Sequence, residues 1–158
     1  MTSDPPKFVL DRELFSLCKA LRMLGFDALD RGHLPLRDSI RRAIEERRVW
    51  IRKDSEAPSL QYGIRYFLVQ ADDVPGQLLE IQERYSIKES ASPFSRCLKC
   101  NELLQDLPAS RAQGKIPEAV LTAFEEFSIC PACDRIYWPG SHLKRMKKKL
   151  EIWGWQNL

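Results

Sequence analysis

Short apolar runs alternate with stretches of helical periodicity along the first part of the chain. Four runs have the length and composition of buried strands, and they cover residues 8–10, 26–29, 49–51 and 64–69. Three stretches repeat apolar side chains at intervals of three and four, which predicts helices over residues 12–24, 38–46 and 75–82. Gly25 supplies a C-cap for the first helix, and Pro75 suits the first turn of the third.

This alternation predicts an α/β domain over residues 1–92, with a parallel sheet covered by helices on both faces. Sites in such sheets form at the carboxyl ends of the strands. Asp11 and Asp54 each follow a predicted strand, so we expect both carboxylates at this edge. The polar, proline-containing stretch at residues 88–95 predicts a boundary, and residues 93–158 then form a separate small module.

Four of the five cysteines form two CxxC pairs, Cys97 with Cys100 and Cys130 with Cys133, separated by 29 residues. Thiolates at positions i and i+3 reach one ion from a tight turn, and two such turns supply the four ligands of a structural, ribbon-like zinc site. A redox dithiol pair is the alternative interpretation. The fifth cysteine, Cys18, lies on an apolar helix face, which favours a buried core residue.

The acids at the strand ends suggest a second metal site. Carboxylates that converge there can hold Mg²⁺ or Mn²⁺, which lowers the pKa of a bound water and clamps the phosphate under attack. Asp11 and Asp54 are the first candidates, with Asp38 and Glu46 on the second helix as further catalytic acids. The alternative for each acid is a helix cap or a solvated surface group.

Charge changes the interpretation only near the C-terminus. The net charge is +3, and residues 1–92 balance 15 basic against 15 acidic side chains, so the excess lies in the C-terminal module. A predicted helix there carries cations that can neutralise phosphates, namely Arg145, Lys147, Lys148 and Lys149. A solvated helix face is the alternative. Trp153 and Trp155 could dock on the domain or on a protein partner.

The chain lacks the apolar segments that target proteins to membranes or to secretion. It contains no run of 18 apolar residues, so no membrane span is predicted and no membrane partner is expected. Its first residues lack a basic region followed by a long apolar stretch, which predicts no secretory signal. We therefore expect a cytoplasmic protein.

Motifs along nearly the whole chain resemble one known family. Three segments carry the resemblance in the first part, namely FVLDREL at 8–14, LRMLGFD at 21–27 and AIEERRVWIRKD at 43–54. Two more specific segments follow, namely SRCLKCNELL at 95–104 and CPACDRIYWPGSHLKRM at 130–146. The chain resembles the PIN-like ribonuclease domain family that is named for the C-terminal part of the Mut-seven exonuclease. The resemblance implies a PIN-like α/β domain fused to a zinc ribbon, and metal-dependent cleavage of RNA.

The resemblance carries over unevenly to the acids that would hold a catalytic ion. Asp11 matches the family's acid after the first strand, and Asp54 matches the acid of a Thr-Arg-Asp segment. That segment reads Arg52-Lys53-Asp54 in this chain, so a cation at residue 52 or 53 could occupy space near the ion.

The second helix also departs from the family pattern. Glu46 and Arg48 match a Glu and an Arg before the third strand, but Leu36 stands where the family has an acid, with Asp38 two residues later. Two expectations follow. The chain is a metal-dependent ribonuclease, or it is a catalytically degenerate PIN-like protein that binds RNA or acts as an adaptor.

Overall fold

The computed structural model describes residues 4–53 and 62–156. The chain divides into two compact units, Met1–Phe94 and Ser95–Leu158, whereas the sequence places the boundary between residues 92 and 93. The described part of the first unit contains a parallel sheet, and the second contains an antiparallel one. No helix in the described residues has the length and apolar content needed to cross a bilayer.

The first unit is a four-stranded parallel sheet flanked by helices, which confirms the predicted α/β class. Its strands are β1 (Phe8–Leu10), β2 (Ala28–Asp30), β3 (Val49–Arg52) and β4 (Tyr66–Leu68), in the order β2-β1-β3-β4. Its α-helices are α1 (Phe15–Met23), α2 (Leu36–Glu45) and α3 (Val74–Tyr85). Short 3₁₀ turns cover Arg12–Leu14, Arg31–His33 and Ile87–Ser90.

Side chains alternate between two buried faces of this sheet. Val9 and Trp50 pack on one face in a cluster that includes Ala43 of α2. Phe8 points to the other face, where its ring centroid lies 6.2 Å from that of Tyr85 in α3. Helices therefore cover both faces, and all three residues of β1 are fully buried.

A buried arginine ties the amino ends of the strands together. Arg48 is 2% exposed and donates Nη1 to Asp27 Oδ1 at 2.7 Å and to the Phe8 carbonyl at 3.1 Å. Its Nε donates to Glu46 Oε2 at 2.6 Å, while Arg42 Nε donates to the other Glu46 oxygen at 2.8 Å. Burial alone would raise the pKa of Glu46, but the hydrogen bonds from the two arginines lower it below its ordinary value.

The described part of the second unit combines very short strands with three helices. Its sheet consists of β5 (Gln105–Asp106), β6 (Ser128–Ile129) and β7 (Ile136–Tyr137), in the order β5-β6-β7. The helices are α4 (Ala109–Ala112), α5 (Glu118–Ala123) and α6 (Ser141–Ile152). Leu107, Ala112 and Phe127 form a small core against which Trp138 packs.

The ionic contacts of Glu46 predict a stability difference that depends on pH. We expect Glu46→Gln to lower the free energy of unfolding by about 1–2 kcal/mol at pH 7, because two charged hydrogen bonds are weakened. The folded-state pKa lies below the ordinary value of 4.5, so this contribution is present above that pH and is lost as the pH falls through the folded-state pKa. Urea unfolding at pH 7 and pH 3 measures the difference, which should shrink at pH 3.

The neighbouring Glu45→Gln variant is the matched control. The Glu45 side chain is 58% exposed and pairs with Arg41, so its loss should have little effect at either pH. Equal destabilisation by the two variants would contradict the assignment.

Candidate functional site

The four predicted ligand cysteines come together in the second unit. Their sulfur atoms all lie within 4.8 Å of one another. The Sγ atoms of Cys97 and Cys133 are 3.8 Å apart, and a tetrahedron with Zn–S bonds of about 2.3 Å has edges of about 3.8 Å. The cluster can therefore hold a structural metal ion such as zinc.

The two CxxC turns have the same backbone geometry. In each turn, the N–H of the residue after the second cysteine donates to the carbonyl of the first cysteine, from Asn101 to Cys97 and from Asp134 to Cys130, both at 2.9 Å. Asn101 and Asp134 have φ angles of 67° and 57°, a left-handed conformation that Asn and Asp tolerate better than most residues. Both turns are thus shaped to aim two sulfur atoms at one point.

Tyr137 completes the surroundings of the cluster. Its Oη lies 3.1 Å from Cys97 Sγ. Burial alone would raise the pKa of Cys97, but hydrogen bonds from Tyr137 and from the backbone N–H groups of Cys100 and Lys99 lower it to about 7. Metal ligands must be thiolates, so a hydrogen-bond donor beside the sulfur favours the required form. The sequence did not assign Tyr137 to this cluster, because nothing in its spacing relates it to Cys97.

At the carboxyl edge of the parallel sheet, the carboxylate of Asp11 is enclosed by donors. The side chain of Asp11 is 4% exposed. Its Oδ1 accepts hydrogen bonds from Trp50 Nε1 at 2.8 Å and from Arg31 Nη1 at 3.1 Å. Its Oδ2 accepts one from Arg52 Nε at 3.0 Å, and the Arg52 side chain is 5% exposed.

The register of the parallel strands explains this meeting. Leu10 of β1 stands opposite Asp30 of β2 and Ile51 of β3. Asp11, Arg31 and Arg52 are the residues that follow these three. The three charged residues therefore lie in one row across the strands. The Trp50 ring steadies both cations, because the guanidinium carbons of Arg31 and Arg52 lie 5.6 and 6.0 Å from it.

Asp30 is a second buried acid at this edge, and the sequence analysis missed it. It is 7% exposed, and its Oδ1 accepts the Gly32 N–H at 2.8 Å, which caps the turn Arg31–His33. His33 Nε2 lies 3.6 Å from its Oδ2. The signal was present, since Asp30 follows a predicted strand in the same way as Asp11 does.

The described residues at this edge do not fit a divalent cation. Mg²⁺ or Mn²⁺ needs several oxygen ligands with free lone pairs. Both oxygens of Asp11 already accept hydrogen bonds from cationic groups. Within residues 4–53 and 62–156, the four cysteines are the one group of three or more Cys, His, Asp or Glu residues whose ligand atoms converge. Asp54, the predicted partner of Asp11, lies outside the described residues.

The structure separates Glu46 from Asp11 and pairs Asp38 with an arginine of its own helix. Asp38 lies in the first turn of α2, 3.7 Å from Arg41, and Leu36 begins that helix with 39% of its surface exposed. Glu46 follows the end of α2 and pairs with Arg48, whose guanidinium reaches the first residue of β1. Since Asp11 follows the last residue of β1, Glu46 and Asp11 lie at opposite edges of the sheet.

The predicted RNA-binding cations lie on α6. Arg145, Lys147, Lys148 and Lys149 are all exposed there. Lys149 Nζ lies 4.8 Å from the centroid of the Trp153 ring. Trp155 is buried, so it does not offer an exposed anchor to a partner.

In a comparison with known proteins, a family model matches residues 6–150 of the chain. The matching family model is described as the Mut7-C RNAse domain. No curated protein matches the chain, and no solved structure matches it. The match agrees with the resemblance drawn from the sequence motifs and covers both compact units.

The cysteine geometry predicts metal-dependent folding of the second unit. We expect Cys100→Ser to lose most of its bound zinc and to unfold the second unit, because the small core around Phe127 cannot stabilise it alone. Zinc content after gel filtration and the near-ultraviolet circular dichroism of the unit measure this. Cys18→Ala removes a cysteine of the first unit and should keep its zinc; full zinc in Cys100→Ser would contradict the assignment.

The contacts of Asp11 predict a structural role for this carboxylate. We expect Asp11→Asn to lower the free energy of unfolding of the first unit by about 3 kcal/mol, because the buried ion pair between Asp11 and Arg52 is broken. Asp38→Asn, which removes an acid with a side chain 43% exposed, should change it by less than about 0.5 kcal/mol. Urea unfolding of the zinc-loaded protein measures both, and an Asp11→Asn variant as stable as the wild type would rule out this role.

Proposed function

The chain belongs to the Mut7-C RNAse domain family, and from this premise we propose that it is an RNA-binding protein without the metal-dependent cleavage of a nuclease. The proposal rests on one observation. Asp11, the acid that should hold a catalytic ion, is buried. Its two oxygens accept hydrogen bonds from Arg31, Trp50 and Arg52.

Arg52 supports this proposal most directly. Arg52 lies at the position where the resemblance to the family expects Thr, and its Nε donates a hydrogen bond to Asp11 Oδ2. A metal ion would have to displace a guanidinium whose side chain is 5% exposed and which is paired with Asp11. Breaking a buried ion pair costs several kcal/mol, about as much as a weakly held divalent ion gains on binding.

The cations of α6 support RNA as the ligand. Arg145, Lys147, Lys148 and Lys149 lie within two helical turns, where like charges at i and i+3 or i+4 repel one another. A polyanion relieves this repulsion, and each phosphate contact releases counter-ions. Lys149 beside the Trp153 ring also offers a cation and a stacking face together, which suits single-stranded RNA.

A second candidate function is the metal-dependent hydrolysis of RNA phosphodiester bonds. Family membership favours it, and so does the position of Asp11 at the carboxyl edge of a parallel sheet. In this candidate, Asp11 and Asp54 would hold Mg²⁺ or Mn²⁺.

One assay separates the two candidates. Zinc-loaded protein is incubated with an end-labelled mixed RNA pool and Mg²⁺ or Mn²⁺, and both RNA length and filter retention are measured. We expect retention without shortening. Replacing Lys147, Lys148 and Lys149 together by Ala should weaken retention at least about tenfold and reduce the salt dependence of log Kd by about 2. Removing three exposed lysines of the first unit, Lys7, Lys19 and Lys88, is the charge-matched control and should have a much smaller effect.

The same assay contains the contradicting outcomes. Shortening that requires Mn²⁺ and disappears in a folded Asp11→Asn variant would establish the second candidate instead. Failure to retain RNA even at low salt would contradict the RNA-binding proposal.

A further inference from the structure

Charge is layered at the carboxyl edge of the parallel sheet. The two acids lie beneath the surface, with Asp11 3% and Asp30 7% exposed. The cations lie above them, since Arg12 and His33 are exposed and the side chain of Arg31 is 30% exposed. A ligand that approaches this edge therefore meets guanidinium and imidazole groups before it meets a carboxylate.

These cations form one cluster because the chain brings them onto the same turn. Arg12 follows Asp11, and its Cγ would lie 3.5 Å from a Cβ placed on Gly32, so its stem covers the turn Arg31–His33. Asp30 holds that turn in place through the Gly32 N–H. The turn itself carries Arg31 and His33 on either side of Gly32.

Among the described residues named at this edge, positive charges outnumber negative ones. Asp11 and Asp30 contribute two negative charges, while Arg12, Arg31 and Arg52 contribute three positive ones before His33 is counted. The two acids already accept hydrogen bonds, Asp11 from Arg31, Trp50 and Arg52, and Asp30 from Gly32. Their ability to bind a further cation is correspondingly reduced, and the outer cations keep the capacity to bind an anion.

Arg31 is the best-placed donor in this cluster. Its Nη1 donates to Asp11, and its guanidinium carbon lies 5.6 Å from the centroid of the Trp50 ring. The side chain is 30% exposed, and a guanidinium has further N–H groups that can bind two oxygens of a phosphate. Because the side chain is already ordered, little rotamer entropy remains to be lost when a ligand binds.

We infer that this edge is a phosphate-binding site, in which Arg12, Arg31 and His33 hold a phosphate group of RNA at the place where the family resemblance expects a divalent cation. The inference rests on the proposed RNA binding, and it adds a second contact that is independent of α6. Asp11 acts in it as a positioning residue, since it orients Arg31 rather than touching the ligand.

The indole N–H of Trp50 is a reporter inside this site, because it donates to Asp11 Oδ1 at 2.8 Å. In a ¹⁵N–¹H spectrum of the zinc-loaded full chain, the signal is assigned by its loss in Trp50→Phe. Three separate titrations follow it, with a single-stranded RNA hexanucleotide, with inorganic phosphate and with MnCl₂. We expect RNA and phosphate to shift the signal, and Mn²⁺ at stoichiometric concentration to leave it unbroadened.

Variants identify the donors. Arg31→Ala should weaken the affinity for phosphate, as measured from this shift, about tenfold. Arg12→Ala leaves the buried contacts of Asp11 in place and should weaken that affinity about threefold. The control is Arg84→Ala, which removes an exposed arginine from the last turn of α3. Arg84 precedes Tyr85, whose ring packs against Phe8 at the start of β1. This variant should have no effect.

The outcomes separate this inference from the proposed function. Broadening of the Trp50 signal by stoichiometric Mn²⁺ would overturn the inference, and so would phosphate and RNA titrations that leave the signal unmoved. If RNA is retained on filters while the signal is unmoved, RNA binding stands and this site fails. If RNA is not retained, a phosphate shift that Arg12→Ala weakens still supports an anion site.

Discussion

The buried carboxylate of Asp11 has to be neutralised, and this requirement organises the carboxyl edge of the first unit. A carboxylate that is 4% exposed is tolerated only with charge partners and hydrogen bonds. Arg31, Trp50 and Arg52 provide them from the strand on either side of β1. The same contacts that make the acid stable inside the protein also reduce its capacity to bind a metal ion, because each of its oxygens already accepts a hydrogen bond from an arginine.

The strands of this sheet are three or four residues long, so their ladders contain few backbone hydrogen bonds. Buried ion pairs at both edges compensate for this. Asp11 joins the carboxyl ends of three neighbouring strands, and Arg48 joins their amino ends through Asp27 and the Phe8 carbonyl. Each ion pair is satisfied in one register only, because a shift of one residue would leave a charge buried without its partner.

The second unit also has very short strands, and in it a metal site would take the place of the buried ion pairs. Its strands contain two residues each, and its core is a small cluster around Phe127. A unit of this size buries too little apolar surface to be stable by packing alone. The four cysteines supply the missing constraint, since a metal ion would bind together two turns that are 29 residues apart in the chain. The cations of α6 are exposed and do not contribute to this core.

The sequence by itself determined the strands and helices of the first unit and the four cysteines that converge in the second, because periodicity and CxxC spacing are local properties. It also identified the family. Only the tertiary structure decided that Arg31 and Arg52 meet Asp11, that Asp30 is buried beside them, and that Tyr137 reaches Cys97. These contacts join residues 20 to 41 positions apart, and they depend on strand register, which no local pattern encodes. Glu46 went to the opposite edge for the same reason, since α2 runs back along the sheet before the chain enters β3.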